Sequence, residues 1–484
     1  MLLFDFEDDE GRPRRVVFRD PSDVIVARSI EEVRPALRAV ERAAGAGRYA
    51  AGYVAYEAAP AFDPALVTHE RPATPLVWFA IFDRPRADSP AHISGDYGLT
   101  RWQPSVGRDV YDERVAAVRD SIARGDVYQV NYTMRLRARF RGDELAFYRN
   151  LLAAQRARFG AYLDTGDRRI LCASPELFFR RRGAHIVTRP MKGTVRRGRW
   201  SDEDEALAAW LAGSEKNRAE NVMIVDLLRN DLGRVAETGS VTVPSLFDIE
   251  RYPTVYQMTS TVAATLREPT SLEEIFAALF PCGSVTGAPK VSVMRLIRQL
   301  EDSPRGVYCG AIGMLSPGGE AVFNVAIRTV VIDAETGAAE YGVGGGITWD
   351  STADEEYSEA LDKAALLAER RPEFELLETL RLERGEYFLL ARHLARLAAS
   401  AKYCDGPLAV ERARAALEEH AREHANETRR VRLLVSQDGR ARVESEALRP
   451  LPPGPLPFAL ARAPVSRQDR FLYHKTTHRA AYAS

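Results

Sequence analysis

The stretch VYQVNYTMRLRARF, residues 127–140, alternates apolar and polar side chains over most of its length. A period of two predicts a strand. Just before it, DVYDERVAAVRDSIARGD carries a helical pattern that stops at Gly125-Asp126, a helix handing over to a strand. Upstream, the strand-like runs RVVFRD, YAAGYVAYE and PLVWFAIFD surround one amphipathic helix, EEVRPALRAVERAA. Downstream, 160–195 alternates again, and a long helical pattern covers 202–232 before mixed helix and strand continue to Arg370. Many strands without a regular βαβ rhythm predict an α+β fold.

The 484 residues exceed one ordinary domain, with 45% apolar and 28% charged residues, as expected of a globular protein with a sizeable core. Basic and acidic residues balance at 67 against 68, for a net charge of −1. No global field therefore points to nucleic acid or to an anionic membrane. Cys172, Cys282, Cys309 and Cys404 show neither CxxC nor metal spacing, which predicts buried thiols in a reducing compartment. The N-terminus has no signal-like apolar core, so a cytoplasmic protein is expected.

The predicted domains are 1–370, with its core at 105–368, and a smaller subdomain at 373–447. A proline-rich linker at 448–457 then leads into 458–484, which is too short to bury a core and reads as the start of an incomplete domain.

Several clusters could carry chemistry. In RAENVMIVDLLRNDLGRV (218–235), Glu220 near a helix start either complements the helix dipole or projects from a buried stripe. In GVGGGITWDSTADEEYSEALDKA (342–364), a glycine loop after the strand AAEYGV presents backbone N–H groups to an anion. It is neither a Walker loop nor GxGxxG. Glu356 and Glu359 follow at i, i+3, a spacing that suits Mg²⁺ ligation or an exposed acidic helix start. Arg328, in the apolar run FNVAIRTV, needs either an internal acid or an anionic substrate. Lys192 lies in RPMKGTVRRGR (189–199). A solvated basic loop is the commonest setting for such a lysine. Repulsion from Arg189, Arg196 and Arg197, with burial by Met191, would instead lower its pKa and make it a nucleophile.

Taken in order, SPELF (174–178), PMKGT (190–194), AENVMIVDLLRNDLGRV, GSVTGAPK (283–290), GAIG (310–313), NVAIRT (324–329) and the glycine cluster with Glu356/Glu359 resemble the chorismate-utilising enzymes over about 105–368. The resemblance implies stacked β-sheets with outer helices. It implies that Glu220 and Glu359 hold Mg²⁺, with Glu356 behind them, and that Gly193, Thr194, Arg328 and Gly344, Gly345 and Gly346 hold the carboxylates of chorismate. Within the family, P-[IM]-K-G-T resembles the aminodeoxychorismate synthases, whereas anthranilate synthases carry alanine in place of this lysine. Lys192 would then attack C2 of chorismate as the 4-hydroxyl leaves, ammonia would add at C4, and Glu176 would act as acid/base. The product would be 4-amino-4-deoxychorismate, a precursor of p-aminobenzoate and folate, with anthranilate as the alternative outcome. Gln129 occupies the position where isochorismate and salicylate synthases use a lysine to activate water. Gln257 replaces a histidine present in many members and cannot protonate a leaving group. No glutamine-hydrolysing Cys-His elbow is evident, so ammonia is expected from solution or from a separate glutamine amidotransferase subunit.

Residues 374–400 and FLYHKTTHRAAY (471–482) resemble the start of the fold-type-IV pyridoxal-phosphate (PLP) enzymes. The resemblance implies that Arg396 meets the cofactor phosphate and that Lys475 forms the Schiff base. With few residues after Lys475, the chain as it stands is not expected to hold PLP productively or to act as a lyase.

Overall fold

The computed structural model describes residues 1–484 except 9, 71, 87–94, 369–371, 373, 405, 407–409, 451–452, 456, 461–463 and 483–484. The boundary expected at 370–373 and part of the 448–457 linker therefore fall outside the described residues. The chain divides into two compact units. The first comprises Met1–Thr194, Ala212–Tyr252 and Tyr256–Arg370; the second comprises Val195–Leu211, Pro253–Val255 and Arg371–Ser484. Residues 195–211, which the sequence reading places in the first domain, thus cluster with the second unit.

Among the described residues, two ten-stranded sheets frame the first unit. The alternating run that predicted a strand forms one over Gln129–Gly142. It pairs antiparallel along its length with Ala338–Ile347, with Val130 opposite Ile347, Asn131 opposite Gly346 and Thr133 opposite Gly344. The glycine cluster is therefore a strand and not the expected loop. The neighbouring backbone supplies its hydrogen bonds, so pairing overrides the weak strand preference of glycine. In the second sheet, Met191–Arg196 neighbours Val255–Thr265.

The helical pattern at 202–232 is two helices, Ser201–Gly213 and Glu215–Gly233. They break at Ser214, whose side chain accepts from the Asn217 N–H and caps the second. Thr352 caps Ala353–Ala364 in the same way through the Glu355 N–H. Burial of Leu3, Tyr132, Leu136, Ile332 and Val343 joins the Gln129–Gly142 sheet to its helices. At one edge of that core Glu301 is buried, accepting from the Thr133 N–H and hydroxyl and from Arg305 Nη2 at 2.6 Å.

In the second unit, strands ordered 386–387, 376–383, 428–435 and 441–447 form a four-stranded sheet. Helices Leu390–Tyr403 and Val410–Glu423 pack on it through Leu394, Leu397 and Leu417 against Leu380 and Val431. Cys172, Cys282 and Cys309 are buried free thiols. No helix among the described residues is long and apolar enough to cross a membrane.

Candidate active site

Lys192 follows the buried Met191 on the strand Met191–Arg196, and the next residue turns sharply: Gly193 has φ +99°. A Cβ there would lie 3.1 Å from Asn217 Cβ and 3.2 Å from Met258 Cβ, so both conformation and space call for glycine. The carbonyl of Lys192 accepts from Asn221 Nδ2 at 3.2 Å, and Asn221 Oδ1 accepts from the Ser260 hydroxyl at 2.5 Å. Asn221 thus pins the lysine strand from the helix that also carries Glu220. Sequence reading passed over it, although its place inside AENVMIVD is a usable signal. The Thr194 hydroxyl donates to Gln257 Oε1 at 2.9 Å.

The lysine amine reaches the glycine strand. A Cβ on Gly346 would stand 2.1 Å from Gln129 Nε2 and 3.0 Å from Lys192 Nζ. Gln129 is 1% exposed, yet neither of its amide atoms has a hydrogen-bond partner. Glu176, 3% exposed, likewise leaves Oε1 unpartnered. Buried polar atoms without partners are costly, and these belong to residues gathered about one amine. Burial lowers the Lys192 pKa; Glu220 opposes that and Lys363 adds to it. Burial pushes Glu176 up to about 7, against the Ser284 hydroxyl and the Lys192 charge. Ser284, from GSVTGAPK, is a second residue that the sequence reading did not single out.

The arginines of RPMKGTVRRGR do not tune this lysine. Arg189 pairs with Glu250 at 2.5 Å, Arg196 with Glu203 at 3.2 Å, and Arg197 with Asp204 at 2.7 Å. Each meets a carboxylate, Glu203 being shared with Arg199 and Glu250 with Arg158, and the expected repulsion gives way to burial and Lys363.

Glu356 and Glu359 face Gly345, and Glu220 lies near enough to Lys192 to be the largest charge acting on it. A Cβ on Gly345 would meet Glu356 Oε2 at 2.8 Å and Glu359 Oε1 at 3.9 Å. Burial raises the pKa of Glu356, which accepts from the Ser351 hydroxyl at 2.6 Å and is repelled by Glu359. Burial also raises Glu220, against Lys192 and Lys216 and with Glu359 and Asp350. Glu220 lies in the second turn of its helix rather than at its first residue, which weakens the dipole reading. Glu359 is depressed: burial works against its charge, but Lys363 prevails. Among the described residues, no three His, Cys, Asp or Glu side chains form a group that could hold an ion on their own. The donor set fits a hard cation completed by substrate or water oxygens rather than an all-protein cage.

Lys363 is the hub that the sequence reading missed. Its ammonium meets Glu359 at 2.5 Å and the Gly344 carbonyl at 2.9 Å. Its carbonyl accepts from the Arg328 guanidinium and from the Tyr341 hydroxyl. The i, i+4 spacing of Glu359 and Lys363 was the available signal. Arg328 has a left-handed φ of +53° and precedes the strand Thr329–Asp333; it donates to this carbonyl, and its charge also helps to depress Glu359.

In the second unit, Arg396 donates from Nε and Nη2 to Glu378, which also meets His393 Nδ1 at 2.7 Å. Lys475 lies near this group. Burial lowers its pKa, opposed by Glu378 and reinforced by Arg396, Arg479 and Arg430.

Residues 6–369 match the family model for chorismate binding enzyme, and 375–484 match that for amino-transferase class IV. The aminodeoxychorismate synthase component 1 of Salmonella typhimurium is 44% identical over 262 residues, covering 54% of this chain and 57% of that protein. Its Escherichia coli counterpart is 44% identical over 269 residues, covering 55% and 59%. Anthranilate synthase component 1 of Aquifex aeolicus is 39% identical over 266 residues, 55% of this chain and 53% of that one. The matched stretch thus spans little more than half the length of these curated relatives. Among solved structures, anthranilate synthase component I from Streptococcus pneumoniae superposes with a TM-score of 0.62 at 27% identity, covering 76% of this chain and 90% of that one. The isochorismate synthase MenF from Escherichia coli shares the fold, with a TM-score of 0.61 at 19% identity over 76% of this chain and 87% of that one. A family match across three-quarters of the length, over the same strands that gather Lys192, Glu176 and the glycines, places this chain in the chorismate binding enzyme family.

Proposed function

We propose that the first unit aminates chorismate at C4 to give 4-amino-4-deoxychorismate, as the names of its relatives suggest. The observation that carries this reading is Lys192, whose amine lies against the glycine strand with a lowered pKa. Burial favours the neutral form of that amine, which is the nucleophilic one. Lys192 Nζ attacks C2 of the ring while the 4-hydroxyl departs. Ammonia then adds at C4 and the lysine leaves from C2, so that chorismate and ammonia become the amino product and water. Glu176, holding a proton up to about pH 7, supplies it to the departing hydroxyl. Gln257, engaged by Thr194, orients but does not protonate.

Gly193, those N–H groups of Gly344 to Gly346 that point away from the ladder with 130–139, Arg328 and Thr194 would hold the carboxylates of the dianion. Glu220 and Glu359 would hold a Mg²⁺, with Glu356 behind them; when bound, the ion supplies Lewis-acid polarisation of the ring carboxylate. The name "component 1" of the relatives supports a separate glutamine amidotransferase as the ammonia source. The free buried thiols support a cytoplasmic setting.

For the second unit the reading is narrower. Both of the Arg396 bonds described go to Glu378, an arrangement that does not fit a phosphate contact, so the 484-residue chain is proposed not to retain PLP. Visible cofactor absorbance surviving gel filtration would contradict this.

The deciding experiment is mass spectrometry of products from chorismate, Mg²⁺ and ammonium. Wild type should form 4-amino-4-deoxychorismate, and Lys192→Ala should form it about 10²–10⁴-fold more slowly. Anthranilate as the main product, or an unchanged rate in the variant, would defeat the reading.

A further inference from the structure

Two short segments leave the active-site strands and belong to the second unit: 195–211, directly after Thr194, and 253–255, two residues before Gln257. Within the second unit they are fastened together. The Arg197 N–H donates to the Thr254 carbonyl at 2.9 Å. Arg197, 7% exposed, donates from Nε and Nη2 to the two oxygens of Asp204 at 2.7 and 2.8 Å, and Asp204 also accepts the Gly198 N–H at 2.8 Å.

The class IV stretch closes over this knot. Arg197 Nη2 donates to the Tyr403 carbonyl at 3.0 Å, and its guanidinium lies 4.7 Å from the centre of the Tyr403 ring. The Tyr403 hydroxyl donates to the Gly198 carbonyl at 2.7 Å. The His474 ring stacks on Tyr403 with centroids 4.1 Å apart. Its Nε2 meets the Arg199 carbonyl and its Nδ1 the Ser400 hydroxyl, each at 3.1 Å. A carbonyl only accepts, so Nε2 carries the proton and Nδ1 accepts from Ser400. A satisfied buried polar network of this kind specifies one geometry and resists partial loosening.

We propose that Tyr403 and His474 of the class IV unit are positioning residues for the chorismate site: they fasten residues 195–211, and through the covalent continuity at Thr194–Val195 they fix the strand end that carries Lys192. Lys192 is five residues from Arg197, so slack in the knot reaches the amine along an extended chain, where small misplacements are costly. The catalytic half of this inference rests on the function proposed above; the mechanical half does not.

The test uses the full chain carrying Tyr403→Phe, which removes one hydroxyl, or His474→Ala. Hydrogen–deuterium exchange over 197–211 should quicken about tenfold, while 376–383 and 428–435 keep wild-type protection. Brief acylation at fixed pH, read by mass spectrometry, should change at Lys192 by about threefold or more. The kcat on chorismate should fall about tenfold, with no further fall in a Lys192→Ala background. Unchanged exchange over 197–211 overturns the inference, as does faster exchange with unaltered Lys192 labelling. Lost protection across 376–383 and 428–435 in both variants would make the two residues general supports of the fold and overturn it too. A chain that never turns over chorismate would sink the functional reading, while exchange and labelling still decide the brace.

Discussion

At the scale of single residues, the site depends on absent side chains as much as on present ones. Gly346 faces the movable ends of Gln129 and Lys192 rather than backbone. In Gly346→Ala those ends can swing aside, so thermal unfolding should shift little while kcat falls about 10–100-fold; equal losses in both would refute the placement. Glu176 gives a second expectation. Its acid form is needed and its pKa is raised to about 7, so activity should decline as pH climbs through about 7. Glu176→Gln should remove that decline along with most of the rate, in a pH–rate series run on both proteins. Lys192 was legible as a candidate because its motif stood in an ordered set. Burial as a cause of its lowered pKa was legible from Met191; that the arginines play no part was not, because pairing of Arg189, Arg196 and Arg197 with distant or helical acids depends on the fold. Lys363 and Asn221 escaped notice for a related reason: what they touch lies on other elements.

At the scale of elements, period decided what could be read. The strand Gln129–Gly142 and the helix Arg108–Ala123 appear where alternation and helical spacing placed them. The glycine strand carries no alternating side chains to announce it and exists through its ladder with residues 130–139. The split at Ser214 was hidden because the apolar spacing runs on through a residue that caps instead of continuing. The clearest element-scale expectation concerns Glu301, joining the helix Lys290–Leu300 to the Gln129–Gly142 strand through Thr133 and Arg305. Burial opposes its charge, but Arg305 and Arg135 hold its pKa below the ordinary carboxylate range. Glu301→Ala strands buried Arg305 and should cost about 3–5 kcal/mol in urea unfolding. A loss under about 1 kcal/mol would mean that the cluster is not coupled as described.

At the scale of the whole molecule, the division into units was only partly legible. Composition marks a change near residue 370, but nothing local reveals that 195–211 pairs with residues some 200 positions onward. Burial is the largest of the effects that depress His474 from 6.5 to about 4, with Arg470 and Arg197 lowering it and the Arg199 carbonyl and Asp204 raising it. The unfolded chain therefore binds more protons between those values. The contribution of His474 is full above about pH 6.5 and drains away as pH falls toward 4. Stability measured across that window should fall less steeply in His474→Asn than in wild type. The interleaving of the two units also bears on how such a chain can be recombined. A crossover placed at residue 370 would separate Tyr403 and His474 from the segment they enclose, giving each parent half of a knot. A viable chimera must therefore exchange 195–211 and 253–255 together with everything after 371, so the unit of inheritance here is discontinuous in the gene.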